Sequence, residues 1–172
     1  MKYVILFSIG IALLAIVIAV VRKIPLSNKK SITFDRKGAE QGDANAQFEL
    51  GDLYIDAGLC NQAIIWYRKA AEQGHARAQF ELGAMYYEGL GVPRDSGEAI
   101  SWYRKAAEQD HAGAQFELGA MYYEGLGIPK DGEQAIVWYR KAAEQGHIEA
   151  QLELEAMYDV SLSVPRDREQ AI

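Results

Sequence analysis

The 172-residue sequence has few of the residues and motifs that catalytic or metal chemistry requires. Cys60 is the only cysteine, which excludes an internal disulfide and a zinc site built on paired thiolates. The sequence also lacks a glycine-rich phosphate loop, a nucleophile elbow and a paired-histidine metal motif. We therefore expect a protein that is not an enzyme and that has no catalytic residue, no cofactor and no metal site.

Acidic residues are absent from the first 30 positions, which makes the charge uneven along the chain. Residues 1–30 carry five Lys and Arg, whereas residues 31–172 carry 13 basic and 24 acidic residues and a net charge of −11. A body with this charge repels phosphate backbones, so the composition predicts no nucleic-acid partner.

Charge of either sign is absent from residues 3–21, a run of 19 mostly apolar residues. A helix rises about 1.5 Å per residue, so this run is just long enough to span a bilayer core. The competing interpretation is a cleaved signal peptide, but the run ends in Ala-Val-Val-Arg, which is a poor cleavage site. We predict a transmembrane anchor at residues 1–23, in contact with the membrane through residues 3–21, and a linker at 24–33.

Basic residues are more frequent after this apolar run than before it. An excess of positive charge after a span favours cytoplasmic placement of the chain that follows. We expect a single-pass protein of a bacterial inner membrane with its body in the cytoplasm, and a periplasmic body is the alternative. The basic residues within about 20 positions of the run are Arg22, Lys23, Lys29, Lys30, Arg36 and Lys37 after it, and Lys2 before it.

The body of the chain repeats itself. The 14-residue segment AQFELGAMYYEGLG begins at Ala78 and again at Ala114, 36 residues later, and altered copies begin at Ala46 and Ala150. Self-similarity at a period of this size is typical of stacked repeat proteins. Each unit of such a stack buries its apolar face against its neighbours, which favours an extended binding surface over a closed catalytic pocket.

Each full repeat has the pattern of two helices. In the second repeat, apolar residues at i, i+4, i+7 and i+8 predict a first helix over residues 75–88. A glycine-rich loop follows, and Asp95 with Glu98 has the spacing of a capping box at the start of the second helix. The apolar stripe of the second helices carries tryptophans that we expect to be mostly buried: Trp66, Trp102 and Trp138.

Glycines recur at two places in the repeat. One place is the middle of each first helix, where a glycine costs about 1 kcal/mol in helix propensity and indicates close approach of another helix: Gly51, Gly83 and Gly119. The other place follows each second helix and suits a left-handed C-cap: Gly42, Gly74 and Gly146. Asp110 stands at this second place in the remaining repeat.

The full pattern reads Ala-x-x-x-Leu-Gly-x-x-Tyr, then Gly-x-Gly-Val-Pro-x-Asp, then Ala-x-x-Trp-Tyr-x-Lys-Ala-Ala-Glu-x-Gly. It resembles the Sel-1-like repeat, a relative of the tetratricopeptide repeat (TPR) with a longer period. The resemblance implies an all-α, right-handed α/α solenoid whose concave face binds proteins or peptides. A cysteine-rich branch of this family has been linked to β-lactamase activity, but it depends on paired cysteines that this chain lacks.

The resemblance covers nearly all of residues 34–172. We predict the following units: an orphan second helix at 34–42, repeats from about 46–77, 78–113 and 114–149, and a partial repeat at 150–172. In the partial repeat Glu155 replaces the mid-helix glycine, and the sequence stops before the Trp-Tyr pair. We expect this end to be frayed, truncated relative to related sequences, or completed by a partner, and self-association through the incomplete repeat is one form of such completion.

Two recurring features have a chemical interpretation beside a structural one. His75, His111 and His147 could form a row of metal ligands, but a polar residue favoured at a helix start explains them better. The three tryptophans could form a carbohydrate platform, but core packing explains them better. We predict a membrane-anchored adaptor for protein–protein interaction, with an envelope protein associated with peptidoglycan or another glycan as the alternative. The sequence assigns no partner-binding residue.

Overall fold

The computed structural model describes residues 36–163, and all regular structure in this range is α-helical. A short helix, α1, covers residues 36–40. Seven longer helices follow: α2 (Ala44–Asp56), α3 (Cys60–Glu72), α4 (Ala76–Glu88), α5 (Ser96–Ala107), α6 (Ala112–Glu124), α7 (Gly132–Glu144) and α8 (Ile148–Ser163). The predicted all-α repeat architecture is confirmed for this part of the chain.

Several predicted segments lie outside the described residues. These are the anchor at 1–23, the linker at 24–33, the first two residues of the orphan helix and residues 164–172. Between residues 36 and 163, none of the helices combines the length and the apolar character that crossing a membrane requires. The anchor therefore stays a prediction from the sequence.

The helices form two sets that alternate along the chain. We call α2, α4, α6 and α8 the A helices, and α3, α5 and α7 the B helices. Each of α2, α4 and α6 packs against the B helix that follows it, and each B helix packs against the next A helix. The connections are short, because three residues join α2 to α3 and seven join α4 to α5. Every unit is therefore held by its neighbours along the chain, as in other solenoids.

Tyrosines of the B helices fill the space left by the mid-helix glycines. A Cβ placed on Gly83 would lie 2.7 Å from Cδ1 of Tyr103. A Cβ placed on Gly119 would likewise lie 2.7 Å from Cδ1 of Tyr139. Contacts this short are not tolerated, so only glycine admits these rings. The predicted close approach is confirmed, and the same contact recurs between Gly51 and Tyr67.

The tyrosines are the most deeply buried aromatic residues of the stack. Tyr67, Tyr103 and Tyr139 are 2 %, 3 % and 2 % exposed. The adjacent tryptophans are less buried, since Trp102 is 9 % exposed while Trp66 and Trp138 are of intermediate exposure. The predicted burial of the tryptophans is therefore confirmed for Trp102, whereas Trp66 and Trp138 are only partly buried and the neighbouring tyrosines are the residues enclosed by the core.

Buried glutamines join consecutive units. Gln79 Nε2 donates a hydrogen bond to the backbone oxygen of Ala71 on α3 at 3.0 Å. Gln79 Oε1 in turn accepts one from Nε2 of Gln109, just after α5, at 2.7 Å. Because Gln79 is only 4 % exposed, its bond to Ala71 lies in the core, whereas the bond from the exposed Gln109 is partly buried. The same arrangement occurs around Gln47 and Gln115.

Helix ends follow the predicted local chemistry with one difference. Asp95 Oδ1 accepts hydrogen bonds from the backbone N–H groups of Gly97 and Glu98 at 2.9 and 3.0 Å, which confirms the N-cap. In a capping box the Glu98 carboxylate would accept a hydrogen bond from the backbone N–H of Asp95. Here it accepts one from Trp102 Nε1 instead, at 3.2 Å. The predicted left-handed C-caps are confirmed by positive φ angles at Gly42, Gly74, Gly146 and Asp110.

Candidate protein-binding surface

The A helices present a recurring acidic surface beside the tyrosines of the B helices. In α4 the half-buried Glu81 and the exposed Glu88 lie one turn before and one turn after the buried Met85, on the same side of the helix. The same positions recur in α6. We call this surface the A-helix face and define it by the following residues: Asp52, Ile55, Asp56, Glu81, Tyr87, Glu88, Glu117, Tyr123, Glu124 and Glu153.

Carboxylates of adjoining units converge on the tyrosine rings that separate them. Burial raises the pKa of Tyr103, and the negative charges of Glu117, Glu88 and Glu81 raise it further. The carboxylates of α4 and α6 can raise the pKa of Tyr103 only if they lie close to its hydroxyl group. At the preceding junction, Tyr67 Oη donates a hydrogen bond to Asp52 Oδ1 at 2.5 Å.

Two carboxylates of the A-helix face are partly buried and belong to no ion pair of the described residues. Burial raises the pKa of Glu81, and nearby Asp52 adds to the shift while Arg77 opposes it. Burial also raises the pKa of Glu117, to which Glu88 contributes. Within residues 36–163, the ion pairs shorter than 4 Å are Arg36–Glu40 and His147–Glu149, and neither includes Glu81 or Glu117.

Aromatic and aliphatic side chains alternate with these carboxylates. Tyr123 is 40 % exposed and Ile55, at the equivalent position of α2, is 36 % exposed. Basic residues of the following loops lie over the tyrosine rings, with Arg94 Cζ 5.0 Å from the centre of Tyr87 and Lys130 Nζ 5.1 Å from that of Tyr123. Tyrosine and arginine are the residue types that protein interfaces favour.

The three repeated histidines are helix caps. The Nδ1 atom of each accepts a hydrogen bond from the backbone N–H three residues later, at 3.1 Å for His75, 3.2 Å for His111 and 3.4 Å for His147. Each imidazole also stacks on a phenylalanine of the preceding A helix, at centroid distances of 4.6 to 4.8 Å. The helix-start interpretation is confirmed. In the described part of the chain, His, Cys and carboxylates do not form a group of three or more that could hold a metal.

The tryptophans are partly covered by lysines of their own helices. Lys69, Lys105 and Lys141 place Nζ 4.1, 3.7 and 4.3 Å from the ring centres of Trp66, Trp102 and Trp138. A sugar ring would need the face that the ammonium group occupies. The structure therefore gives the carbohydrate platform no specific support.

No binding residue is predicted from the sequence, although a relevant signal is present. A glutamate recurs directly before a leucine of the first-helix pattern, as Glu49, Glu81, Glu117 and Glu153. A charged residue repeated among apolar ones indicates a position facing solvent on every unit. Which surface these glutamates share became clear only from the packing of the helices.

Comparison with known proteins agrees with this architecture. The Sel1 repeat pattern matches residues 44–75, 76–111, 112–147 and 148–172, which together make up most of the chain. The chain belongs to the Sel1 repeat family. Repeats of this kind generally serve as scaffolds for protein–protein interaction. No curated protein matches the chain.

Solved structures with Sel1 repeats are similar to this chain. A Sel1 repeat protein from Oxalobacter formigenes is 41 % identical, with a TM-score of 0.69 over 74 % of this chain and 98 % of that protein. A protective antigen of uropathogenic Escherichia coli with an SLR fold is 42 % identical, with a TM-score of 0.67 over 70 % of this chain. This chain covers 27 % of the length of that antigen.

A more distant structure shares the fold of this Sel1 repeat chain. The cysteine-rich protein B of Helicobacter pylori is 24 % identical, with a TM-score of 0.58 over 72 % of this chain and 92 % of that protein. At this identity the likeness concerns the fold alone. The chain described here has one cysteine, Cys60, which is unpaired.

Proposed function

We propose that this protein is a membrane-anchored scaffold that holds a protein or peptide segment on the A-helix face. The observation that carries the proposal is the repetition, unit after unit, of accessible aromatic or aliphatic side chains beside carboxylates that have no ion-pair partner. The anchor rests on the apolar run at 3–21, and the basic residues that follow it favour a cytoplasmic position of the repeats. The A-helix face corresponds to the concave face that the family resemblance implies.

The rigidity of the A-helix layer supports this proposal. Gln79 connects α3, α4 and the end of α5 through one buried and one partly buried hydrogen bond, and Tyr103 fills the space above Gly83. A surface held in this way loses little conformational entropy when a partner binds. The exposed side chains on it can therefore contribute their contact energy to affinity.

Site-specific photo-crosslinking in native membranes tests the proposal. A photoreactive phenylalanine analogue at Tyr123 places the probe on the A-helix face with little change in shape. The same analogue at Val137 is the matched control, because Val137 is 43 % exposed against 40 % for Tyr123 but lies on the B helix α7. We expect a discrete crosslinked protein from position 123 and none from position 137. Equal crosslinking at both positions, or crosslinking from position 137 alone, would contradict the proposal.

A further inference from the structure

The A-helix face has a marked excess of negative charge. Of its residues, seven are carboxylates, whereas the basic side chains placed beside it are Arg77 on α4 and the loop residues Arg94 and Lys130. Arg77 places its guanidinium 5.1 Å from the ring centre of Phe48. The seven carboxylates are Asp52, Asp56, Glu81, Glu88, Glu117, Glu124 and Glu153.

These charges repel one another across unit boundaries. Asp52 on α2 acts on Glu81 on α4, and Glu88 on α4 acts on Glu117 on α6. Like charges held close together in a partly buried site are unfavourable until a cation lies between them. A basic group of a partner would therefore gain attraction to two carboxylates at once and would relieve their repulsion.

The apolar part of the face narrows the class of ligand. Tyr123 and Ile55 expose a third or more of their surface beside the carboxylates, and Tyr87 lies at the equivalent position between them. A free metal ion would leave these side chains unused, whereas a polypeptide offers ammonium or guanidinium groups together with apolar side chains. Charge complementarity and the aromatic contacts thus favour the same kind of partner.

We propose that the occupant of the A-helix face is a basic polypeptide segment of another protein. Its Lys or Arg side chains pair with Glu81 and Glu117, and its apolar side chains lie against the exposed side chains of Ile55 and Tyr123. An extended chain rises about 3.3 Å per residue, so basic residues at every third position recur at roughly the 10 Å diameter of one helix. This inference rests on the proposed function and specifies the chemistry of the partner.

The test uses the full-length chain in a neutral detergent and a 15-residue peptide with lysine at every third position. A matched peptide has glutamine in place of each lysine. Fluorescence anisotropy measures both affinities for the native chain, for the double variant Glu81→Gln/Glu117→Gln, and for the control Glu72→Gln/Glu108→Gln. The control removes the same two charges at exposed positions at the ends of B helices. Thermal melting of each variant verifies that the solenoid is folded.

We expect the lysine peptide to bind the native chain at least about ten-fold more tightly than the glutamine peptide. The substitutions at positions 81 and 117 should weaken its binding by about ten-fold or more, and the control by less than about two-fold. Equal weakening by the control would overturn the inference, since the attraction would then come from net charge alone. So would equal binding of the glutamine peptide.

Two further outcomes separate this inference from the proposed function. If position 123 forms crosslinks in membranes but the lysine peptide has no advantage, the scaffold function stands and the basic partner is wrong. If neither is observed, both proposals fail. A last variant replaces four basic residues of the chain's own N-terminal segment by glutamine: Arg22, Lys23, Lys29 and Lys30. If this variant binds the lysine peptide about ten-fold more tightly, the chain's own basic segment occupies the face. That result would overturn the inference that the occupant belongs to another protein.

Discussion

The central helix α6 and the last described helix α8 have closely related sequences but different surroundings. In α6, Leu118 and Met121 are 0 % and 2 % exposed, because α5 and α7 pack on either side. The equivalent Leu154 and Met157 of α8 are only partly buried, and α7 is the main neighbour of α8 in the described part of the chain. Burial in this protein is therefore conferred by the neighbouring units rather than by the helix itself.

The same comparison explains why one position carries different residues. Gly119 in α6 lies against the ring of Tyr139, and a Cβ there would come within 2.7 Å of it. In α8 this position is Glu155, which is exposed, and among the described residues no B helix packs over it. Glycine is required only where a ring has to fit.

The largest effect should come from exchanging these two residues. Gly119→Glu would push a charged side chain into the space of Tyr139, and overpacking together with charge burial should lower the free energy of unfolding by at least about 3 kcal/mol. Glu155→Gly removes an exposed side chain and should change it by about 1 kcal/mol or less. Urea denaturation of both variants provides the comparison. Equal losses would show that the last unit is packed as tightly as the centre.

Replacing the core glutamines should have an intermediate effect. Gln115 is 0 % exposed, donates to the backbone oxygen of Ala107 at 3.1 Å and accepts from Gln145 Nε2 at 2.7 Å, so Gln115→Leu would lose two hydrogen bonds and cost about 2 kcal/mol. Gln151 makes the same bond to Ala143 at 3.2 Å but is exposed. Water can replace it, so Gln151→Leu should cost less than about 0.5 kcal/mol. The same denaturation experiment measures both, and a large loss at position 151 would contradict the comparison.

The smallest effect should be a dependence of stability on pH that comes from the histidine caps. Burial lowers the pKa of His75 and of His111, and the positive charge of Arg77 lowers both further. The folded state therefore binds fewer protons than the unfolded state. The contribution is complete above the unfolded pKa of about 6.5 and is lost as the pH falls towards the lowered folded values.

The double variant His75→Asn/His111→Asn isolates the pH-dependent contribution of the histidine caps to stability, because asparagine caps a helix but does not titrate. Between pH 7.5 and 5.5 the native chain should lose more of its free energy of unfolding than the variant does. The raised pKa values of Glu81 and Glu117 act in the opposite direction, and they are common to both proteins. Parallel pH profiles would show that the caps do not contribute.

Much of the fold could be predicted because it depends on local chemistry. Asp95 caps α5 through its own carboxylate, and Gly74 ends α3 in a left-handed conformation. Both effects involve residues within one helical turn, so the sequence pattern reveals them. The close helix approach at Gly83 was also predictable, because glycine in mid-helix otherwise has only a cost.

Features that depend on neighbouring units could not be predicted in the same way. Gln79 looks like a solvent-facing residue in the sequence, but its hydrogen-bond partners, Ala71 and Gln109, come from two other helical segments. The deeper burial of Tyr103 relative to Trp102 depends on where Gly83 lies in the packed pair. The sharing of one surface by carboxylates of several units likewise needs the geometry of the stack.

Hydrogen exchange along the full chain tests most directly the claim that neighbours on both sides stabilise each unit. The account predicts the slowest exchange around residues 99–122 and the fastest from about Gln151 onward, in dilute monomer. Protection of α8 that appears only at high protein concentration would identify its exposed face as a self-association surface. Protection of α8 equal to that of the centre in dilute monomer would contradict the account.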